Sequence, residues 1–120
     1  SGDFTYRSGL DAADSLLSLT PRPTAIFASN DDMAAAVIAA AHRHGLDVPR
    51  DLSVCGFDDS AMARTVWPEI TTIRHPLADM ARKALVGLAQ DVRQSAETAP
   101  LHEQLPFELI VRHSDAAPAA

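Results

Sequence analysis

The stretch that decides the fold is TAIFASNDDMAAAVIAAAHRHGLDVPRDLSVCGFDD, residues 24–59. Thr24 to Ala28 is short and almost continuously apolar, the pattern of a strand buried on both faces. Ser29-Asn-Asp-Asp32 follows, a capping side chain and two acids of the kind that start a helix. Met33 to Ala41 is apolar on every side, so this helix asks for more than one packing partner. His42, Arg43 and His44 complement the negative end of a helix dipole, and Gly45 suits the left-handed stop beyond it. After the turn Asp47-Val-Pro-Arg-Asp51, Leu52 to Phe57 is a second apolar strand. Strand, helix, strand in this order is a βαβ unit, hence a parallel sheet with a right-handed crossover.

Towards the amino end, Tyr6, Leu10, Ala13 and Leu17 form one stripe of a helix from Thr5 to Leu19. Gly9 weakens that helix, and Thr20-Pro-Arg-Pro23 ends it, because proline breaks the hydrogen-bond ladder. Towards the carboxyl end, Ser60 to Glu69 has mixed character, a short helix or a loop. Ile70 to Ile73 is a brief β-prone segment. Pro76 opens an amphipathic helix whose stripe is Leu77, Met80, Ala81, Ala84, Leu85, Leu88, Ala89 and Val92. Gln94 to Glu103 reads as a polar connection. Phe107, Leu109 and Val111 alternate within a last strand from Leu105 to Val111, and Asp115 to Ala120 reads as a frayed tail. The fold class is α/β, a Rossmann-like parallel sheet with flanking helices.

The chain has 120 residues, 47% hydrophobic and 22% charged, which is ordinary for one globular domain and excludes a wholly disordered chain. A single cysteine, Cys55, excludes an internal disulfide framework and a Cys-rich zinc site. No apolar run reaches the roughly 18 residues of a membrane span. The net charge of −6 gives this chain no basic footprint for DNA or an anionic membrane. It opens mid-pattern at Ser-Gly-Asp-Phe, with no initiator Met, and is expected to be an excerpt of something longer.

Candidate chemistry sits where the strands end. In open parallel sheets, ligands bind beyond the carboxyl ends of the strands. Asn30 and Asp31 follow the first strand, Asp58 and Asp59 the second. A carboxylate accepts from hydroxyls, while an amide both donates and accepts, so together they suit a polyhydroxylated ligand. The other reading makes Asn30 a helix cap and Asp58 a turn residue. Asp58, Asp59 and His75 are no hydrolase site, since a Gly-x-Ser-x-Gly nucleophile elbow is absent. His42 and His44, at i and i+2, face different sides of a helix and are no metal pair. No catalytic residue, metal or cofactor is expected.

These residues also match a family. Ala25-Ile-Phe-Ala-Ser-Asn-Asp-Asp-Met-Ala34, Gly45 to Asp59 ending in Gly-Phe-Asp-Asp, and Pro68-Glu-Ile-Thr-Thr-Ile-Arg74 resemble the LacI/GalR bacterial transcriptional regulators. Gly2-Asp-Phe-Thr-Tyr-Arg-Ser-Gly9 and Leu105-Pro-Phe-Glu-Leu-Ile-Val-Arg-His113 fit too. The resemblance implies the C-terminal part of an effector-binding region of the type I periplasmic-binding-protein-like fold, incomplete, with a ligand cleft between two subdomains. Residues 1–75 and about 104–114 would belong mainly to the C-terminal subdomain. The helix over about 76–95 would cross to an N-terminal subdomain that lies outside this chain, leaving its apolar stripe uncovered here.

The resemblance also implies roles. Asn30 and Asp58 align with positions that hydrogen-bond effector hydroxyls, and Phe4 with an aromatic that stacks on a sugar or base ring. His75 stands where the family more often has glutamine, and imidazole cannot copy an amide's geometry. A homodimer is implied, with Met33, Val37 and Trp67 at its interface. Operator DNA would be read only through an N-terminal helix-turn-helix outside this chain. The implied partner is a small effector, a sugar or nucleoside, acting by allostery in a cytoplasmic regulator without membrane contact. With one cleft wall only, this piece is expected to bind effector weakly or not at all. The alternatives are a sugar-binding protein of a transport system with the same fold, and a purely structural dimerisation piece.

Overall fold

A computed structural model describes residues 2–94 and 102–117. The chain divides into two units, Ser1–Arg74 with Leu109–Ala120, and His75–Glu108. In the first unit the order is α1 (Tyr6–Leu17), β1 (Ala25–Phe27), α2 (Asp31–Arg43), β2 (Ser53–Phe57), α3 (Met62–Thr65) and β3 (Thr71–Arg74). The second unit holds α4 (Leu77–Gln94), and β4 (Glu108–Ile110) lies where the chain re-enters the first. The four strands run in the order β1-β2-β3-β4, with β1 and β3 each parallel to β2. The βαβ reading is therefore correct.

The core lies between α2 and one face of the sheet. Ala34, Val37, Ile38 and Ala41 of α2 are buried with Leu52, Val54 and Ile70. Burying a side chain of the size of Leu52 or Ile70 contributes about 1.5–3 kcal/mol. The all-round apolar character of α2 is explained inside the chain, because it packs on α1, β2 and α3. Gly9 makes the approach of α1 possible: a β-carbon there would come within 2.9 Å of the Met33 backbone. What weakens α1 as an isolated helix is what lets it cross α2 closely.

Two expectations change and one open reading is resolved. β1 is not buried on both faces; it is an edge strand, and Phe27 is 64% exposed. The register pairs Phe27 with Cys55 and Ile26 with Val54. Helix α2 covers the Ile26–Val54 face, so alternation turns Phe27 the other way. The last strand is Glu108–Ile110 instead of Leu105 to Val111, and Phe107, Leu109 and Val111 are exposed. The mixed stretch after Asp59 resolves into α3. Within the second unit, Leu77, Met80, Leu85, Leu88 and Val92 of α4 are exposed. Most of the polar connection, residues 95–101, and the end of the expected tail, residues 118–120, lie outside the described residues.

Candidate functional site

Parallel pairing of β1 and β2 brings their carboxyl ends to one edge of the sheet, where the chain places Asn30 and Asp58. The Asn30 amide works in two directions. Its Oδ1 accepts from the Met33 N–H at 2.8 Å, capping α2. Its Nδ2 donates to the Phe4 carbonyl at 2.9 Å. The capping role is thus real, and the same side chain carries the amino-terminal loop to the strand edge. Thr5 caps α1 by accepting from the Ser8 N–H at 3.1 Å. Asp3 in turn accepts from the Thr5 hydroxyl at 2.6 Å. Hydrogen bonds from Thr5 and Ser8 hold the Asp3 carboxyl down at about 2.

Backbone strain collects here. Phe4, Asp58 and Asp59 have φ of 65°, 109° and 54°. They are the non-glycine residues with positive φ among the described residues. Such conformations cost about 1–3 kcal/mol each, persist only where surroundings fix them, and cluster at ligand sites. The Phe4 ring stands 65% exposed, free of any core. Asp58 is exposed as well, with its N–H donating to the Ile73 carbonyl at 2.9 Å.

Two of the strand-end carboxylates, Asp31 and Asp59, fix this edge from within. Asp31 is 1% exposed. It accepts from the Thr72 hydroxyl and from the Ser60 N–H, each at 2.6 Å. Asp59 has its side chain 3% exposed. Its Oδ2 accepts from Arg74 Nε at 2.7 Å and pairs with Nη2 at 2.6 Å, while Oδ1 accepts from Arg112. Burial works to raise the Asp59 carboxyl, but the hydrogen bonds and charges of Arg112 and Arg74 outweigh it and hold it below the usual range. Asp31 reads in the sequence as a first-turn acid and a strand-end group, while its bond to Thr72 spans 41 residues. The pairing of Asp59 with Arg112, 53 residues away, leaves no local mark in the sequence.

The remaining candidates fall elsewhere. His75 is half-buried and opens the second unit, directly after β3. Met33 is half-buried, its Cα and Cβ against Gly9 of α1 and its Cε beside Gly2 ahead of that helix. Val37, expected at a subunit interface, is 4% exposed and belongs to the chain's own core, so its side chain has no surface to offer a partner. Trp67 is 76% exposed, its ring 6.1 Å from that of His113 and tilted by 34°. A cavity of about 490 Å³ opens at the opposite, amino edge of the strands, between Thr24, Ser53, Arg50 and Asp115. Among its described lining residues the cation is Arg50, which is already paired with Asp47 and Asp51. The strained carboxyl edge is the better candidate.

A family model for a periplasmic binding protein-like domain matches residues 2–114. The chain belongs to this family, in its LacI-type branch. It is 38% identical over 116 residues to the HTH-type transcriptional repressor CytR of Escherichia coli K12, covering 97% of this chain and 34% of that protein. A solved structure of the transcriptional regulator CelR with cellobiose is 35% identical, with a TM-score of 0.88 over 94% of this chain and 34% of its own. The lac repressor dimer bound to operator and an anti-inducer is 29% identical, with a TM-score of 0.86 over 97% of this chain and 40% of its own. The resemblance read from Gly-Phe-Asp-Asp and Pro-Glu-Ile-Thr-Thr-Ile-Arg is therefore correct. This LacI-type chain spans about a third of the length of its curated relatives, which are transcriptional regulators rather than enzymes. Among the described residues, no helix is long and apolar enough to cross a membrane.

Proposed function

We propose that this chain is the ligand-sensing and dimerisation portion of a cytoplasmic LacI-type transcriptional regulator. Phe4, Asn30 and Asp58 contact a small polyhydroxylated effector, a sugar or nucleoside. The observation that carries this reading is the strained carboxyl edge. Phe4 and Asp58, each held at positive φ, flank an Asn30 amide that is anchored at both ends. On the resemblance alone, His75 joins them. The chemistry suits hydroxyls: Asp58 accepts, Asn30 keeps one proton and one lone pair beyond its two bonds, and the Phe4 ring covers an apolar C–H face. CelR is solved with cellobiose, which supports a sugar.

Control of DNA follows from linkage. An effector shifts the equilibrium between two arrangements only by its differential affinity for them. The coupling is reciprocal with operator affinity and typically amounts to about 1–3 kcal/mol. Operator contact belongs to a helix-turn-helix outside this chain, and a homodimer presents two of them. The lac repressor neighbour is a dimer on its operator. Trp67 is the interface anchor this chain offers, because an exposed indole gains most from burial against a partner.

A thermal-shift panel of sugars and nucleosides on the full-length protein tests the reading. At least one compound is expected to raise the melting temperature, and Asn30→Ala and Asp58→Ala are expected to abolish that rise. A panel compound that stabilises both variants as well as the wild type would refute the assignment. A leader peptide in place of a helix-turn-helix at the amino end of the whole protein would favour the transport reading instead.

A further inference from the structure

We infer that Asp59 is a positioning residue that fixes Asp58 and, with the same carboxylate, holds both connections between the first unit and the second. Arg74 is the last residue before the chain leaves the first unit, and Leu109 is where it returns. Arg74 ends β3 and places Nε and Nη2 at 2.7 and 2.6 Å from Asp59 Oδ2. Arg112 lies three residues past the return, and its Nη2 donates to Asp59 Oδ1. The two oxygens are thus divided, one to the outgoing connection and one to the incoming. Arg64 of α3 stands 3.6 Å from Oδ2 and tilts the surroundings further towards positive charge.

The guanidinium of Arg112 is itself fixed. Its Nη1 donates to the Ile70 carbonyl at 2.8 Å, and its side chain is only 9% exposed. Its backbone N–H donates to the Thr71 hydroxyl at 2.8 Å. The Asp59 backbone is anchored too, its N–H reaching the Thr72 hydroxyl at 3.4 Å. One covalent step away, Asp58 sits at a φ of 109°, a conformation that demands restraint from both sides. Asp59, and next to it Asp31 through the Ser60 N–H, supply that restraint on the carboxyl side of Asp58, and the bond from its own N–H to the Ile73 carbonyl at 2.9 Å supplies it on the amino side. Buried charge-assisted bonds of this kind are the strong ones. A ligand that displaces Asp58 acts directly on the carboxylate that grips both connections. That Asp58 meets a ligand rests on the function proposed above; the clamp does not.

Amide hydrogen exchange on the full-length protein without any ligand tests the clamp, so its outcome is separate from the fate of the proposed function. Three variants are compared with the wild type: Asp59→Ala, the isosteric Asp59→Asn, and Arg74→Gln, which removes the outgoing grip. In Asp59→Ala the amides of Asp58 and Arg112 are expected to exchange about tenfold faster or more, as local openings do. The Ala28 amide, bonded to the Cys55 carbonyl at 2.8 Å, should stay within about twofold. Arg74→Gln should speed Asp58 and leave Arg112 unchanged, and Asp59→Asn should fall between. If Asp59→Ala does not fold, the other two variants decide. Exchange that is unchanged at Asp58 in all folded variants, or that rises uniformly and includes Ala28, overturns the inference.

Discussion

Gly56 of β2 lies directly against the Asp31 carboxylate, so that a β-carbon on Gly56 would overlap Oδ1. The glycine in Gly-Phe-Asp-Asp is therefore a matter of space: it lets a buried acid from the start of α2 reach across β2 to the Thr72 hydroxyl. The same position would also press on Ala34 and Ile70 at 3.2 Å. Gly56→Ala is expected to destabilise the protein by about 1–3 kcal/mol, the usual cost of overpacking. Urea unfolding of the full-length protein measures it, and a loss under about 0.5 kcal/mol would show that the carboxylate moves aside freely.

Asp31 should matter for the edge more than for the core. Asp31→Ala strips an acceptor from the Thr72 hydroxyl and the Ser60 N–H, two groups that then have no replacement at hand. A cost of about 3 kcal/mol is expected. Asp31→Asn keeps one acceptor oxygen and should recover a good part of that. Equal loss in both variants would mean that the charge, and not the hydrogen-bond geometry, holds the loop.

Asn30 offers a way to separate folding from recognition. Asn30→Ser keeps a capping oxygen for α2, a replacement that changes helix stability by only a few tenths of a kcal/mol. It lacks the Nδ2 that donates to the Phe4 carbonyl. The variant is expected to melt within a few degrees of the wild type, yet to lose most of the stabilisation that the best panel compound confers. A variant that keeps the full ligand response would confine Asn30 to capping.

Much of this was readable in the sequence, and the reasons are local. The βαβ unit declared itself because an apolar run, a cap, a dipole-matched helix and a second apolar run follow one another within residues 24–59. Asn30 is legible both as a cap and as a candidate ligand group, and the structure shows the cap together with a bond to the Phe4 carbonyl. The burial of β1 was misread because a strand's apolar character does not say whether its neighbours reach around it. The resemblance places Val37 at a subunit interface, and the all-round apolar pattern of α2 cannot tell a partner chain from α1 and α3 of the same chain, against which α2 packs. Asp31 and Asp59 were missed as organisers because their partners, Thr72 and Arg112, lie 41 and 53 residues away.

Acid should spare the Phe4 loop. The Asp3 carboxyl, ordinarily near 3.8, is held at about 2 by the Thr5 and Ser8 hydrogen bonds. A carboxyl depressed on folding contributes stability fully above its ordinary value and loses it as the pH falls through its lowered one. The contribution of Asp3 should therefore begin to decline below pH 3.8 and be gone only beneath about pH 2. An NMR titration of the Asp3 side chain checks this, and a midpoint near 3.8 would mean that the loop is not held as described.

Trp67 should be silent in folding and audible in assembly. An indole that is 76% exposed contributes little to the fold, so Trp67→Ser should change unfolding stability by no more than about 0.5 kcal/mol. In sedimentation equilibrium the full-length variant should dissociate at higher concentration than the wild type. An unchanged dimer constant would place the interface elsewhere.

The central claim is that the strained carboxyl edge meets the effector. Isothermal titration of the full-length protein with the panel compound that stabilises it most tests this claim most directly, wild type against Asp58→Ala. Losing a hydrogen bond to a charged group costs about 1.5–3 kcal/mol, so affinity should fall about 10- to 150-fold. The same dissociation constant in both proteins would contradict the account.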